Sequence, residues 1–219
     1  MNYRLMDTEL TSDMILRIEK GVTVITNGGI IAYPTDTVYG LGASSDNAQA
    51  IKRIYEVKKR PMDMPLPLLL ADVSWIERVT FSIPEIAQQL IDLFLPGALT
   101  LVMKKADTIP DIVSGGKNTI ALRIPDHPIT IALINAVGKP LIGTSANISG
   151  KSSALNADDV KNQLGDKIDY ILDGGLCPGG KESSIIDVTG NIPVLLREGA
   201  ILKADIEKVC EIILPGEEI

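Results

Sequence analysis

The 219-residue chain carries 21 basic and 28 acidic side chains, so its formal net charge is -7 at pH 7. This excess of acid argues against a protein that holds a nucleic-acid backbone over its whole surface, because such binding depends on Lys and Arg displacing counterions. Apolar residues make up 45% of the chain, enough to bury one substantial core, which excludes disorder as a description of most of it.

The sequence carries none of the signals of an exported or membrane-bound protein. Cys177 and Cys210 are too few for a disulfide framework, and no neighbouring Cys or His gives either one a metal-ligand spacing. Residues 1–20 mix charged and apolar side chains and lack the apolar centre of a signal peptide. The most apolar stretch, residues 64–70, is too short to span a bilayer. We therefore expect a cytoplasmic protein without a membrane partner.

The first predicted elements, in chain order, are a helix, a strand and a second helix. Thr11, Ser12 or Asp13 can cap the first helix, which ends at Gly28-Gly29. A strand is expected over residues 30–33, and the second helix over residues 48–58, where Pro61 prevents its continuation.

The rest of the chain alternates short apolar runs with helical patterns, which predicts an α/β domain. Further strands are expected over residues 66–70, 99–104, 119–124, 141–144, 170–172, 184–188 and 193–196. Further helices are expected over residues 84–94, 128–137, 157–163 and 204–213. Two long loops, 150–156 and 174–182, are of the kind that often lines ligand sites.

Two glycine-rich segments begin like nucleotide-binding motifs but fail on their context. Residues 175–181 have the spacing of a P-loop, yet Glu182 stands where Ser or Thr would hold magnesium, and a strand rather than a helix follows. Residues 40–42 begin like a dinucleotide fingerprint, but Ser45 replaces its third glycine. We interpret both segments as turns.

The remaining polar residues each have an ordinary structural explanation when taken singly. His127, the single histidine, precedes Pro128 at a helix start, where an imidazole commonly serves a turn, and a hydrolytic triad lacks its partners. Lys58 and Arg60 end a helix, where cations suit the helix dipole. Arg123 lies among apolar neighbours, and a buried guanidinium needs an anionic partner. That partner can be a ligand or one of the chain's own acids.

Seven segments, read in order, resemble the motifs of the YrdC-like family of threonylcarbamoyl-AMP synthases. They are residues 33–42 (YPTDTVYGLG), 58–61 (KKRP), 96–100 (PGALT), 121–128 (ALRIPDHP), 144–147 (TSAN), 182–186 (ESSII) and 195–199 (LLREG). The resemblance implies an α/β fold in which a twisted mixed sheet with flanking helices surrounds a large concave cavity. It also implies a single domain over residues 1–219, with a motif-bearing core at about 12–200 and a C-terminal helix at about 203–214.

The activity implied by the resemblance is that of a nucleotidyltransferase. Such an enzyme converts L-threonine, bicarbonate and ATP into threonylcarbamoyl-AMP and pyrophosphate, with Mg²⁺ held mainly by the phosphates. The product would pass to a tRNA threonylcarbamoyl transferase complex, which forms N6-threonylcarbamoyladenosine at position 37 of tRNAs reading ANN codons. Direct tRNA binding would at most be weak.

The resemblance also implies site residues, none of them an acid or base. The expected ATP contacts are Lys58, Arg60, Thr119, Ser145, Asn147, Ser153 and Arg197. The expected threonine contacts are Thr35, Arg123, Thr144 and Ser183. Lys58 and Arg60 would stabilise charge that develops on the phosphates. The chain departs from many relatives at Met64, where Asn is usual, and at Leu69, where His is usual, so ligand contacts along residues 64–70 are expected to differ.

Two alternatives stay open. One is a non-catalytic module that binds double-stranded RNA or tRNA on the same concave surface, although the acid excess and the 4% aromatic content speak against it. The other is a carbamoyl-adenylate former of the hydrogenase-maturation type, which shares this module but carries additional domains.

Overall fold

The computed structural model describes residues 10–216, which form two β-sheets with helices on their outer faces. The two ends of the domain expected over residues 1–219 lie outside this described part. The described helices are α1 (Ser12–Thr26), α2 (Ala48–Lys58), α3 (Ile76–Val79), α4 (Glu85–Phe94), α5 (Asp111–Ser114), α6 (Pro128–Val137), α7 (Ala157–Gln163) and α8 (Lys203–Ile206). The strands are β1 (Ile31–Tyr33), β2 (Gly40–Gly42), β3 (Leu68–Leu69), β4 (Leu99–Lys104), β5 (Thr119–Arg123), β6 (Leu141–Ile142), β7 (Thr144–Ser145), β8 (Tyr170–Ile171), β9 (Ser184–Asp187) and β10 (Val194–Arg197).

The larger sheet has six strands in the order β10-β9-β4-β5-β3-β6 and is mixed. Strand β4 runs antiparallel to β5 and parallel to β9. Since side chains alternate between the two faces of a strand, Leu101 and Met103 of β4 enter the core with Leu122 of β5. The residues between them face the opposite side, where the cavity described below lies.

The smaller sheet has the order β7-β2-β1-β8 and is tied to the larger one by a buried tyrosine. Tyr33 at the end of β1 donates its hydroxyl hydrogen to the carbonyl of Ile142 in β6, at 2.6 Å. Its ring covers Gly40 and Gly42 of the neighbouring strand, where a Cβ atom would lie 2.7 and 2.9 Å from ring carbons. The two glycines therefore make room for the side chain that joins the sheets.

The chain crosses from one sheet to the other at Gly143. Strand β6 belongs to the larger sheet and β7 to the smaller, with Gly143 between them. A Cβ atom at this position would lie 2.3 Å from Cγ of Leu69, so the crossing requires glycine for space. The crossing places β7 and the turn after it against the concave side of the larger sheet.

The mixed α/β sheet with flanking helices is confirmed, and three expectations for individual segments are wrong. Residues 40–42 form strand β2 rather than a turn, because paired glycines fit under the Tyr33 ring. The predicted strand at 141–144 is two short strands in different sheets. The C-terminal helix expected at about 203–214 is only α8, after which the backbone pairs at Ile213 with Val194 of β10. Within residues 10–216 no helix has the length and apolar character needed to cross a membrane.

Candidate active site

A cavity of about 740 Å³ opens over the concave face of the larger sheet. Its floor is made by alternate side chains of three adjacent strands, because these point away from the core. They are Thr100 and Val102 of β4, Thr119, Ala121 and Arg123 of β5, and Ile185 and Asp187 of β9. Register places Val102 between Ala121 and Asp187, and Thr100 beside Ile185, so apolar and polar side chains are mixed across the floor.

The cavity is basic although the chain as a whole is acidic. The cationic side chains that line it are Lys58, Arg60, Lys117, Arg123, Lys151 and Arg197, against the two carboxylates of Glu182 and Asp187. A concentration of one charge sign inside a cleft raises the local concentration of small ions of the opposite sign. The site is therefore suited to a compact anion such as a nucleotide.

Arg123 is buried and already has an anionic partner within the chain. Its NH2 nitrogen lies 2.6 Å from Oδ1 of Asp36, and NH1 donates to the Thr37 hydroxyl at 2.9 Å. The Nε group donates to the carbonyl of Gly97 at 2.8 Å. The guanidinium is thus held in one orientation at the edge of the cavity, with the remaining N–H groups free of any bond to the described residues.

Thr35 and Thr37 shape the turn that carries Asp36. The Thr35 hydroxyl donates to the carbonyl of Val38 at 2.6 Å and accepts the backbone N–H groups of Thr37 and Val38. The Thr35 side chain therefore fixes its own turn, and this turn aims Asp36 at Arg123.

Lys58 is almost fully buried at the end of α2, and its ammonium is saturated by protein acceptors. Nζ donates to the carbonyls of Ser145 and Asn147, at 2.5 and 2.8 Å, and to Oδ1 of Asn147 at 3.2 Å. Burial, with the neighbouring Arg60, lowers the pKa of Lys58 to about 8. Lys58 therefore fixes the turn after β7 and brings a positive charge under it.

Arg60 forms no ion pair with a carboxylate within residues 10–216, although Glu182 is near enough to favour its charged form. Its NH2 and Nε groups donate to the carbonyls of Pro65 and Met64, at 2.8 and 3.3 Å. Burial lowers the pKa of the Arg60 guanidinium, and the nearby Arg197 lowers it further. A half-buried cation held by carbonyls on the wall of a basic cavity is a candidate contact for a phosphate.

Arg197 is hydrogen-bonded to the backbone just before β9, and both Arg197 and Ser153 donate to the carboxylate of Glu182. Its Nε and NH2 groups donate to the carbonyl of Ser183 at 3.0 and 2.8 Å, and NH1 lies 2.5 Å from Oε2 of Glu182. The other Glu182 oxygen accepts the Ser153 hydroxyl at 2.7 Å. Below them, the hydroxyls of Ser183 and Thr100 are hydrogen-bonded at 2.8 Å.

Comparison with known protein families shows which family this chain belongs to. The model of the Sua5, YciO and YrdC family, described as "Telomere recombination", matches residues 23–199. The chain belongs to this family. The match contains every predicted site residue, from Thr35 to Arg197.

Named relatives of the Sua5/YciO/YrdC family are found among bacteria and archaea. The chain is 44% identical over 194 residues to the threonylcarbamoyl-AMP synthase of Bacillus subtilis, covering 88% of this chain and 56% of that one. It is 41% identical over 177 residues to a protein of Methanocaldococcus jannaschii named putative threonylcarbamoyl-AMP synthase, covering 81% of this chain and 83% of that one. The crystal structure of Pyrococcus abyssi Sua5 complexed with L-threonine superposes with a TM-score of 0.87 at 41% identity, covering 92% of this chain and 61% of that one. The chain thus spans little more than half the length of the Bacillus relative.

The structure brings ten of the eleven predicted site residues to the walls of one cavity. They are Thr35, Lys58, Arg60, Thr119, Arg123, Thr144, Ser145, Asn147, Ser183 and Arg197. The eleventh, Ser153, lines an adjoining cavity of about 470 Å³, which shares Glu182 and Arg197 with the first. The residues are assembled as the resemblance implies, whereas their roles towards a ligand remain predictions.

Met64 and Leu69, the two positions where the resemblance implies a departure from many relatives, both line the cavity. Leu69 is buried against the crossing at Gly143, and Met64 lies beside the Arg60 guanidinium that its carbonyl holds. The wall between these two side chains is completed by Pro65 and Pro67. Any ligand meets apolar surface there.

Several cavity residues were missed by reasoning from the sequence. Asp187 lies two residues beyond Ile185 on β9, so strand alternation alone predicts that both share the face of the cavity. Lys117 precedes β5 and lines the cavity beside Thr119, but no pattern in the sequence marks it. Glu182 belongs to one of the seven matching segments and stands at a P-loop position, but no role in the site was predicted for it.

His127 and the two cysteines do not line either cavity. His127 is the residue before α6, and its buried Nδ1 has no hydrogen-bond partner in the described structure. Burial lowers the pKa of His127 and raises that of the Cys177 thiol to about 11. Both side chains are therefore uncharged at neutral pH, consistent with structural positions.

Proposed function

We propose that this protein is an L-threonylcarbamoyladenylate synthase, which uses L-threonine, bicarbonate and ATP. The observation that carries the proposal is the convergence of Arg60, Arg123 and Arg197, together with the hydroxyl-rich turn held by Lys58, on one cavity. The names of the Bacillus and Methanocaldococcus relatives and the threonine complex of the Pyrococcus protein support the same reaction.

The proposed reaction has two bond-forming stages. The amine of threonine adds to CO2, which bicarbonate provides on loss of hydroxide, and the nitrogen gives up a proton to leave a carbamate. A carbamate oxygen then attacks the α-phosphorus of ATP, and the bond from that phosphorus to the β-phosphate oxygen breaks. The products are the mixed anhydride threonylcarbamoyl-AMP and pyrophosphate. The second stage needs no protein base, because the attacking carbamate is already an anion.

Charge stabilisation is the main task left to the protein. Negative charge grows on the departing pyrophosphate, and fixed cations in a partly water-excluded site stabilise it. Arg60 and Arg197 are suited to direct contact with phosphate oxygens. All three N–H groups of Lys58 are hydrogen-bonded to Ser145 and Asn147, so this side chain contributes positive charge and positions the turn after β7.

Threonine is proposed to lie at the Arg123 end of the cavity floor, beside Thr35, Thr144 and Ser183. A guanidinium fixed by Asp36 and Thr37 is pre-oriented, and its unused N–H groups can receive a carboxylate. The hydroxyls of Thr100 in β4 and of Ser183, the residue before β9, line the same cavity and can exchange their mutual hydrogen bond for one to the ligand.

Mg²⁺ is expected to accompany ATP, and the donor set of the cavity fits that expectation. Residues 10–216 contain no cluster of three or more acidic, His or Cys side chains that would hold a metal alone. Mg²⁺ commonly binds through one or two carboxylates together with substrate phosphates, and Glu182 and Asp187 supply carboxylates on the cavity wall. When bound, the ion would neutralise part of the phosphate charge.

The test is release of pyrophosphate with each substrate omitted in turn. We expect release only when threonine, bicarbonate and ATP are all present, and Arg60→Ala should lower it by at least about a hundredfold, as expected for one lost charge-assisted transition-state contact. Lys59→Ala is the matched control, because Lys59 is the adjacent cation and does not line the cavity. Release that ignores threonine would refute the synthase. Salt-dependent tRNA binding without turnover would favour the RNA-binding module instead.

Further proposals concern the cellular setting. We propose that the protein acts in the cytoplasm and that its product passes to a transferase complex that modifies adenosine 37 of tRNA. The mixed anhydride hydrolyses readily in water, so a consuming enzyme close to the synthase is chemically advantageous.

A further inference from the structure

Glu182 accepts hydrogen bonds from two side chains that are proposed to contact ATP. Its two carboxylate oxygens accept one hydrogen bond each from Arg197 and Ser153, and both of these residues are proposed ATP contacts. Glu182 and Arg197 also line both the main cavity and the adjoining one of about 470 Å³. The carboxylate therefore lies at the boundary between the two spaces.

The hydrogen bonds of Arg197 leave few donors for any other anion. Its Nε and NH2 groups are directed to the carbonyl of Ser183, so NH1 is the group turned away from the strand, and Glu182 takes it. NH1 keeps a second N–H group, but a phosphate oxygen that approaches it comes close to the carboxylate and is repelled by its charge. Arg197 and Glu182 are both about one-third exposed or more, so the carboxylate has room to swing aside.

A divalent cation removes this conflict, because one ion can be shared by a carboxylate and phosphate oxygens. We propose that Glu182 makes nucleotide binding depend on magnesium: it disfavours metal-free ATP at Arg197 and Ser153 and admits the magnesium complex. The inference rests on the proposed ATP binding at this site and adds a residue that selects the form of the nucleotide.

The test is calorimetric titration of the full chain with ATP, once with excess EDTA and once with excess Mg²⁺. The readout is the ratio of the two dissociation constants, so the experiment requires no turnover. The variants are Glu182→Gln, which keeps the shape but removes the charge, and the control Glu198→Gln. Glu198 lines the adjoining cavity but bonds the backbone N–H of Lys203 rather than Arg197.

For Glu182→Gln we expect metal-free ATP to bind about tenfold more tightly than to the wild type, the size expected when a nearby charge that repels the phosphate is removed. The stimulation by Mg²⁺ should shrink by a similar factor, and the control should retain the wild-type ratio. An unchanged ratio in Glu182→Gln, with weaker binding in both buffers, would overturn the inference and show that Glu182 only anchors Arg197. Failure of the wild type to bind ATP in either buffer would overturn the proposed function as well.

Discussion

Replacement of Arg123 separates its contribution to the fold from its contribution to the ligand. The side chains of Arg123 and Asp36 are only 8% and 15% exposed, and their atoms lie 2.6 Å apart. In Arg123→Met the Asp36 carboxylate keeps the backbone N–H of Asp126, at 3.1 Å, but loses its cation. Removal of one member of a buried pair costs about 3–5 kcal/mol, because it leaves an uncompensated charge. Loss of the bonds to Thr37 and Gly97 places the expected value near the upper end.

The double variant Arg123→Met/Asp36→Asn removes the stranded charge and is the control for this reasoning. We expect it to recover about 2 kcal/mol relative to the single variant, since much of the penalty comes from the desolvated carboxylate. Urea denaturation at pH 7.5, followed by circular dichroism, gives the free energy of unfolding of all three proteins. Equal stability of the single and double variants would refute a buried, mutually dependent pair.

The same double variant tests the ligand role. If the guanidinium also receives the carboxylate of threonine, the KM for threonine should rise about a hundredfold in both variants, as for a lost bidentate charge-assisted contact, while the KM for ATP changes much less. A double variant with wild-type affinity for threonine would show that Arg123 serves the fold alone.

Two further predictions concern the turn after β7 and the junction of the sheets. The value of kcat/KM for ATP should fall as pH rises through about 8, as Lys58 loses the proton that holds Ser145 and Asn147, and this limb should be absent in Lys58→Met. The free energy of unfolding should rise with pH in the wild type, relative to Lys58→Met, between about pH 8 and 10.5. In that range the Lys58 side chain is protonated in the unfolded chain but not in the folded one. Urea titrations across the range measure this difference. Gly42→Ala should destabilise the protein by about 2–3 kcal/mol or more, since its Cβ atom would lie 2.0 Å from the carbonyl oxygen of Ile142, and an unchanged urea midpoint would mean that the backbone yields.

Long, strongly patterned elements were predictable from the sequence because their local chemistry and their packing agree. The capped helix that became α1 begins where Thr11 accepts the backbone N–H of Met14, and α6 begins at Pro128 as predicted. Strands β4 and β5 follow their apolar runs within a residue of the expected bounds. Each of the two helices has a start signal in the sequence, and each of the two strands coincides with one predicted apolar run.

Strand β2 and the division between β6 and β7 were not predictable, because two or three residues carry no period. Strand β2 consists of Gly40, Leu41 and Gly42, a composition that favours a turn, and only the Tyr33 ring above it explains why glycines pair there. The division of residues 141–145 between two sheets depends on a single crossing at Gly143. Such features follow from tertiary packing and leave no local signal.

In the candidate site, too, the environment of a residue could be predicted from its sequence neighbours, but its partner from a distant segment could not. Arg123 in an apolar strand correctly indicated a buried cation with an anionic partner, but nothing in the sequence identifies Asp36, which lies 87 positions earlier in the chain. Glu182 was noted as a misfit in a phosphate loop, and its meaning appears only when Arg197 and Ser153 are found on its two oxygens. The family resemblance predicted which residues share a site, whereas their pairing required the fold.

The distribution of charge gives a physical reason why an acidic protein can bind a polyanionic nucleotide. The net charge of -7 disfavours an extended contact with a nucleic-acid backbone, because acidic side chains outnumber basic ones by 28 to 21. A nucleotide is small enough to enter the cavity, where six cations face two acids across a partly apolar floor. The outer surface therefore repels the many phosphates of a nucleic acid, whereas the cavity attracts the few phosphates of a nucleotide. This distribution of charge favours a compact anion over a long one, and the preference requires no contact with a nucleobase.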